Sequence, residues 1–125
     1  MVKCPRASKQ KYGYRIGSVL ESDAKTVIKY EVEEMGNDPM LDYIGKSFNT
    51  NPTLKAISKA IDQCFGSDAR AIWLTRKKSQ AKEYYGPGEA DKIKIPKGAA
   101  EVLDLGPDGQ LFIYKKQRLS YRHRD

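Results

Sequence analysis

Apolar and polar positions along this chain change their period twice, and the changes divide it into elements. Tyr12 to Leu20, YGYRIGSVL, mixes aromatic and aliphatic residues with two glycines, and reads as a strand whose backbone something approaches closely. The next stretch, SDAKTVIKYEVEEMG, fits two periods. Ala24, Val27, Ile28, Glu31 and Met35 share one side of a helix that Ser22 or Asp23 caps and Gly36 ends. Thr26, Ile28, Tyr30 and Val32 also alternate as in a strand. The punctuation at both ends favours the helix. NDPMLDYIGKSF reads as a loop containing at most one helical turn. The clearest helix follows, with Asn51 as its cap, Pro52 at the first helical position and Leu54, Ile57, Ile61, Cys64 and Phe65 in one stripe before Gly66.

Beyond Gly66 the period shortens. Ala71 to Thr75 predicts a strand, and Ser79 to Tyr85 a short helix stopped by Gly86-Pro87-Gly88. Three strand-like runs complete the chain: DKIKI, EVLDL and QLFIYKK, separated by Pro-Lys-Gly and Gly-Pro-Asp-Gly. Pro107 and Asp108 suit the centre of a type I turn and Gly109 a residue of positive φ after it, so the last two strands predict a hairpin. With helices early, strands late and a strand at each end of the order, the expectation is α+β: a single domain, a mainly antiparallel sheet and two to three helices. That domain spans residues 12–115, between a basic N-terminal arm, 1–11, and a basic C-terminal tail, 116–125.

A chain of 125 residues buries about two thirds of its unfolded surface and stands as one domain without staples. The two cysteines, Cys4 and Cys64, form no C-x-x-C pair, which argues against a zinc site and a disulfide scaffold, and predicts two reduced thiols in a cytoplasmic protein. No apolar run approaches the length that spans a bilayer, so no membrane is expected, and no metal. The net charge of +7 is concentrated at the ends. Lys3, Arg6, Lys9 and Lys11 stand without an acid in residues 1–11, and Lys115, Lys116, Arg118, Arg122 and Arg124 face only Asp125 in residues 115–125. The stretch between them holds 14 bases and 15 acids. Such ends either contact phosphates or are solvated termini.

The chemistry lies in AIWLTRKKSQAKEYYG, residues 71–86. A first strand with Tyr14-Arg15, a helical middle, a strand ending Trp73-Leu74-Thr75, Ala81 four residues before Tyr85, then Ile-Pro-x-Gly and a final strand pair together resemble the ADP-ribosyltransferase superfamily, which includes the RNA 2′-phosphotransferases. The resemblance covers residues 12–115. It implies a split sheet whose cleft holds NAD in a folded conformation, with Arg15 on the nicotinamide ribose or a phosphate, the Thr75 hydroxyl beside that ribose and an aromatic, Tyr84 or Tyr85, over the nicotinamide ring. An oxocarbenium-like sugar calls for a guanidinium on the diphosphate, a π face for the ring and an acid at the sugar. The family's glutamate falls where this chain has Gln110 or Phe112, and an amide carries no negative charge and takes no proton. Glu101, Asp104, Asp108, Glu89 and Asp91 are the nearby carboxylates. Gln110 and Glu101 are the catalytic candidates, and the departure leaves two readings, an ADP-ribosyltransferase-type transferase or a degenerate member that binds a nucleotide or a protein and catalyses nothing.

Blander roles stand beside these. Arg15 suits an exposed strand position, Trp73 the core, and Thr75 a strand end or helix cap. Neighbouring Tyr84 and Tyr85 point about 100° apart on a helix, so one is partly wet in any case. Arg76-Lys77-Lys78 suits a phosphate near a helix start or a solvated turn. His123, in the tail, has no partner in view. Two other functions fit: nucleic-acid binding through the basic ends and exposed tyrosines, and a protein-interaction or inhibitor module on the same scaffold.

Overall fold

The computed structural model describes residues 1–16, 22–85 and 88–117, apart from the side chains of Tyr84 and Tyr85. Its elements are β1 (Tyr12–Ile16), β2 (Ser22–Asp23), α1 (Ala24–Glu33), α2 (Met40–Phe48), α3 (Leu54–Phe65), β3 (Arg70–Leu74), α4 (Lys78–Tyr85), β4 (Ala90–Lys94), β5 (Ala100–Asp104) and β6 (Gln110–Tyr114). They make an α+β fold with two antiparallel sheets: a ribbon of β1 and β4, and a four-stranded sheet in the order β2-β3-β6-β5. Among the described residues one backbone bridge joins the sheets, Tyr14 and Thr75 exchanging hydrogen bonds of 2.8 and 3.0 Å.

Strand β6 explains the sheet. QLFIY has β3 on one side and β5 on the other and is buried along its whole length, which its nearly unbroken apolar sequence allows. One face of the sheet takes Ala71, Val102, Leu111 and Ile113 into a core with α1, α2 and α3. The opposite face takes Ile72, Leu74, Phe112 and Tyr114, covered by Ile93, Ile95 and Ala99 from β4 and the turn after it. Gly13 of β1 presses on Leu74 there: a Cβ would stand 2.7 Å from that of Leu74, so only glycine fits. The expected hairpin is present, β5 and β6 being joined by a short 3-10 turn at Gly106–Asp108 with Gly109 at φ 127°.

Several expectations are corrected. The described residues form four helices, because α2 stands where a loop was expected: Met40, Ile44 and Phe48 recur every fourth residue and bury one stripe. Pro39 and Gly45 disguise it. Gly45 is required inside the helix because Thr50 O and Pro52 Cα would lie 3.1 and 3.2 Å from its Cβ. The cap of α3 is Thr53, whose hydroxyl accepts from the Ala56 N–H at 3.1 Å, and Pro52 precedes it. At 23–35 the helical reading holds, with Asp23 accepting from the Thr26 N–H at 3.0 Å.

The thiols are not reduced. Cys4 and Cys64 form a disulfide with Cα atoms 5.4 Å apart, across a sequence separation of 60. Spacing along a chain identifies ligand motifs but not which distant residues meet, and here the N-terminal segment folds back on α3. The cytoplasmic expectation rested on reduced thiols and loses that premise, since disulfides persist in oxidising surroundings. Among the described residues no helix is long and apolar enough to cross a membrane.

Candidate functional site

Two grooves flank the ribbon, and the predicted site residues distribute between them and the buried layer beneath. The first groove opens where β1 departs from β3, and encloses about 410 Å³. Arg15 lies in it, its Nη1 donating to the Trp73 carbonyl at 3.2 Å. Trp73 forms part of the wall while its indole packs against the helical core, so the residue serves both roles. The opposite wall is α1, whose Thr26 and Tyr30 stand one turn apart, with Glu31 beside them. Tyr30 is 53% exposed. A guanidinium, an indole, a phenol and a carboxylate thus share a space of ligand-pocket size.

Thr75 does not line this groove. It is fully buried, and its hydroxyl lies 3.3 Å from the Tyr14 carbonyl and 3.0 Å from that of Lys77, donating towards both. Those contacts fasten the entry of α4 to β1. Arg15 and Thr75 are therefore one residue apart in register yet engaged differently, because Arg15 follows Tyr14, the partner of Thr75, and side chains alternate along a strand. The side chains of Tyr84 and Tyr85 lie outside the described residues, as do Arg118, Arg122, His123 and Arg124.

Gln110 and Glu101 do come together. Gln110 is fully buried, and its amide pairs reciprocally with that of Gln10, at 2.9 and 3.0 Å, while its Nε2 also donates to the Glu101 carboxylate. Gln10 donates further to the Tyr12 carbonyl at 2.9 Å. Glu101 in turn meets Arg76 at 3.4 Å, and Arg76 grips Asp104 through both terminal nitrogens, at 3.1 and 2.8 Å. The hydrogen bond from Arg76, aided by the Gly106 N–H, holds the Asp104 carboxyl below its ordinary value of 3.8, against a smaller opposing effect of burial. The same hydrogen bond raises Arg76. Arg76 is thus an ion-pair partner rather than part of a bare basic turn. With Gln10 seated over Gln110, this chain of contacts ties the N-terminal segment to the hairpin.

The second groove lies between that segment and the β4–β5 turn, and encloses about 710 Å³. Two backbone hydrogen bonds fix its walls, Ser8 N–H to Ala99 O at 2.7 Å and Ile95 N–H to Lys11 O at 2.8 Å. Lys9 and Lys11 stand on one wall and Lys94 and Lys97 on the other, with no carboxylate lining it. Tyr12, 43% exposed, sits at the rim, and the Lys92 ammonium lies 4.3 Å from its ring centroid. Of the residues expected to serve nucleic acid, Lys9 and Lys11 are here, whereas Lys3, Arg6, Lys115 and Lys116 are exposed outside this groove.

Sequence reasoning passed over Gln10, Tyr30, Glu31, Lys94 and Lys97 as members of any site. One signal was available: Lys92 and Lys94 alternate within DKIKI and so share a strand face, just before a Pro-Lys-Gly turn. No protein-family model, curated protein or solved structure matches this chain.

Proposed function

We propose that this chain binds a nucleotide of the NAD type in the groove between β1, β3 and α1, as a member of the ADP-ribosyltransferase superfamily that does not transfer. The observation carrying this reading is that Arg15, Trp73, Tyr30 and Glu31 line one groove of about 410 Å³. Each residue meets a different part of a dinucleotide. A guanidinium suits a diphosphate, since its fork matches two oxygens at once. The two aromatic side chains suit the nicotinamide or adenine ring. A carboxylate accepts from ribose hydroxyls. Transfer is left out of the reading because Gln110 and Glu101 do not line the groove, and the buried Gln110 amide is engaged by the N-terminal segment. The meeting of two antiparallel sheets at Tyr14 and Thr75 accords with a split-sheet scaffold.

The test is a thermal-shift and ligand-observed NMR titration with NAD. Arg15→Ala should weaken binding by about tenfold or more, the loss of one charge-assisted contact. Tyr30→Ala should weaken it less, and Thr75→Ala should lower the melting temperature while leaving affinity unchanged. Equal affinity in wild type and Arg15→Ala, or no response to millimolar NAD, overturns the reading.

A further inference from the structure

We propose that the lysine-walled groove between the N-terminal segment and the β4–β5 turn is a binding site for single-stranded nucleic acid, separate from the Arg15 groove. Lys9, Lys11, Lys94 and Lys97 line one groove whose two sides are joined by backbone hydrogen bonds at Ser8–Ala99 and Lys11–Ile95, and no carboxylate lines it. Four like charges around one groove give it a positive potential that attracts an anion. A sugar-phosphate strand supplies negative charges in a row.

The rim distinguishes this partner from other polyanions. Tyr12 and Lys94 are cross-strand partners and share a face of the ribbon, so an aromatic ring stands beside a groove lysine. Splayed bases stack on such rings, whereas an acidic peptide gains little from one. A single strand fits better than a duplex, because a paired base offers no face to Tyr12 and no helix lines the groove to enter a major groove. A membrane surface fits poorly, because Ile95, the large aliphatic residue of the lining, is buried and cannot insert. The N-terminal segment forms one wall, and the Cys4–Cys64 disulfide and the Gln10–Gln110 pair hold it in place.

The experiment is fluorescence anisotropy of the full chain with labelled 12-nucleotide single-stranded RNA and DNA of mixed sequence, the two arms reporting which sugar is preferred. Log affinity should fall against log salt with a slope of about −3, the value for four phosphate contacts on a single strand. The Lys94→Glu/Lys97→Glu pair should weaken binding by about tenfold or more. Tyr12→Ala should weaken it by about fivefold or more, with Tyr12→Phe close to wild type. Lys115→Glu/Lys116→Glu should leave most of the affinity, and none of the groove variants should alter NAD binding. All these positions are on the surface, so circular dichroism should show every variant folded. The site is refuted if polyglutamate competes as well as the oligonucleotide, if anionic phosphatidylserine vesicles bind in its place, if Tyr12→Ala is silent, or if the tail variant loses as much as the groove variant.

Discussion

The two faces of the four-stranded sheet are covered by opposite means. On one, three helices bring complete apolar stripes, and among the described residues the cluster counts sixteen buried apolar residues against six on the other. The edge-to-face pair of Phe48 and Phe65, with centroids 6.2 Å apart, joins α2 to α3 within it. On the second face the apolar layer is thin, and polar contacts beside it complete the cover: the Gln10–Gln110 amide pair and the Thr75 hydroxyl. Burying those groups is tolerated only because each is satisfied, since an orphaned buried amide costs about 1–3 kcal/mol. The first face supplies stability and, through α1, one wall of the Arg15 groove. The second borders the lysine-lined groove, and the segment that closes it is fastened rather than packed.

Breaking the thick face should have the largest effect. Phe48→Ala removes a fully buried ring and should cost about 3–5 kcal/mol, read as a lower urea midpoint with the same slope. Loss of the fastening should come next. Cys4→Ser opens the link to α3 and should cost about 2–4 kcal/mol. Hydrogen exchange should show residues 1–10 opening first, with β3 and β6 still protected; equal loss everywhere would mean that the two faces do not differ as described. The smallest effect belongs to the ion pair at the hairpin. Asp104 is held below its ordinary 3.8, so its contribution is present above that value and fades as pH falls through the lowered one. The pair is largely exposed, so Asp104→Asn should cost about 1 kcal/mol or less at pH 7. It should also flatten the acid limb of the stability curve below about pH 4.

Legibility followed the range of the interactions involved. Helix α3 announced itself because its stripe, proline and closing glycine lie within one window, and the hairpin because Gly-Pro-Asp-Gly separates two apolar runs. The missed helix α2 had a stripe just as regular, but Gly45 weakens its intrinsic propensity, and the reason for that glycine, the returning backbone of Thr50 and Pro52, lies outside the helix. The same holds for the site. Arg15 was legible as a cation on an aromatic strand. Tyr30 and Glu31 were not, because only the packing of α1 beside β3 sets them across from it. Gln10 was invisible for the stronger reason that its partner, Gln110, is a hundred residues away.

What the chain's order of residues determined by itself was the fold class and the elements other than α2 and the two-residue β2: periods of 3.6 and 2, turn glycines and caps act over a few residues, and so can be read without a fold. Tertiary structure alone decided that the two cysteines meet, which polar side chains are buried together, and that lysines of two distant segments line one groove. Those are contacts between segments, and their free energy depends on a proximity that no local pattern encodes.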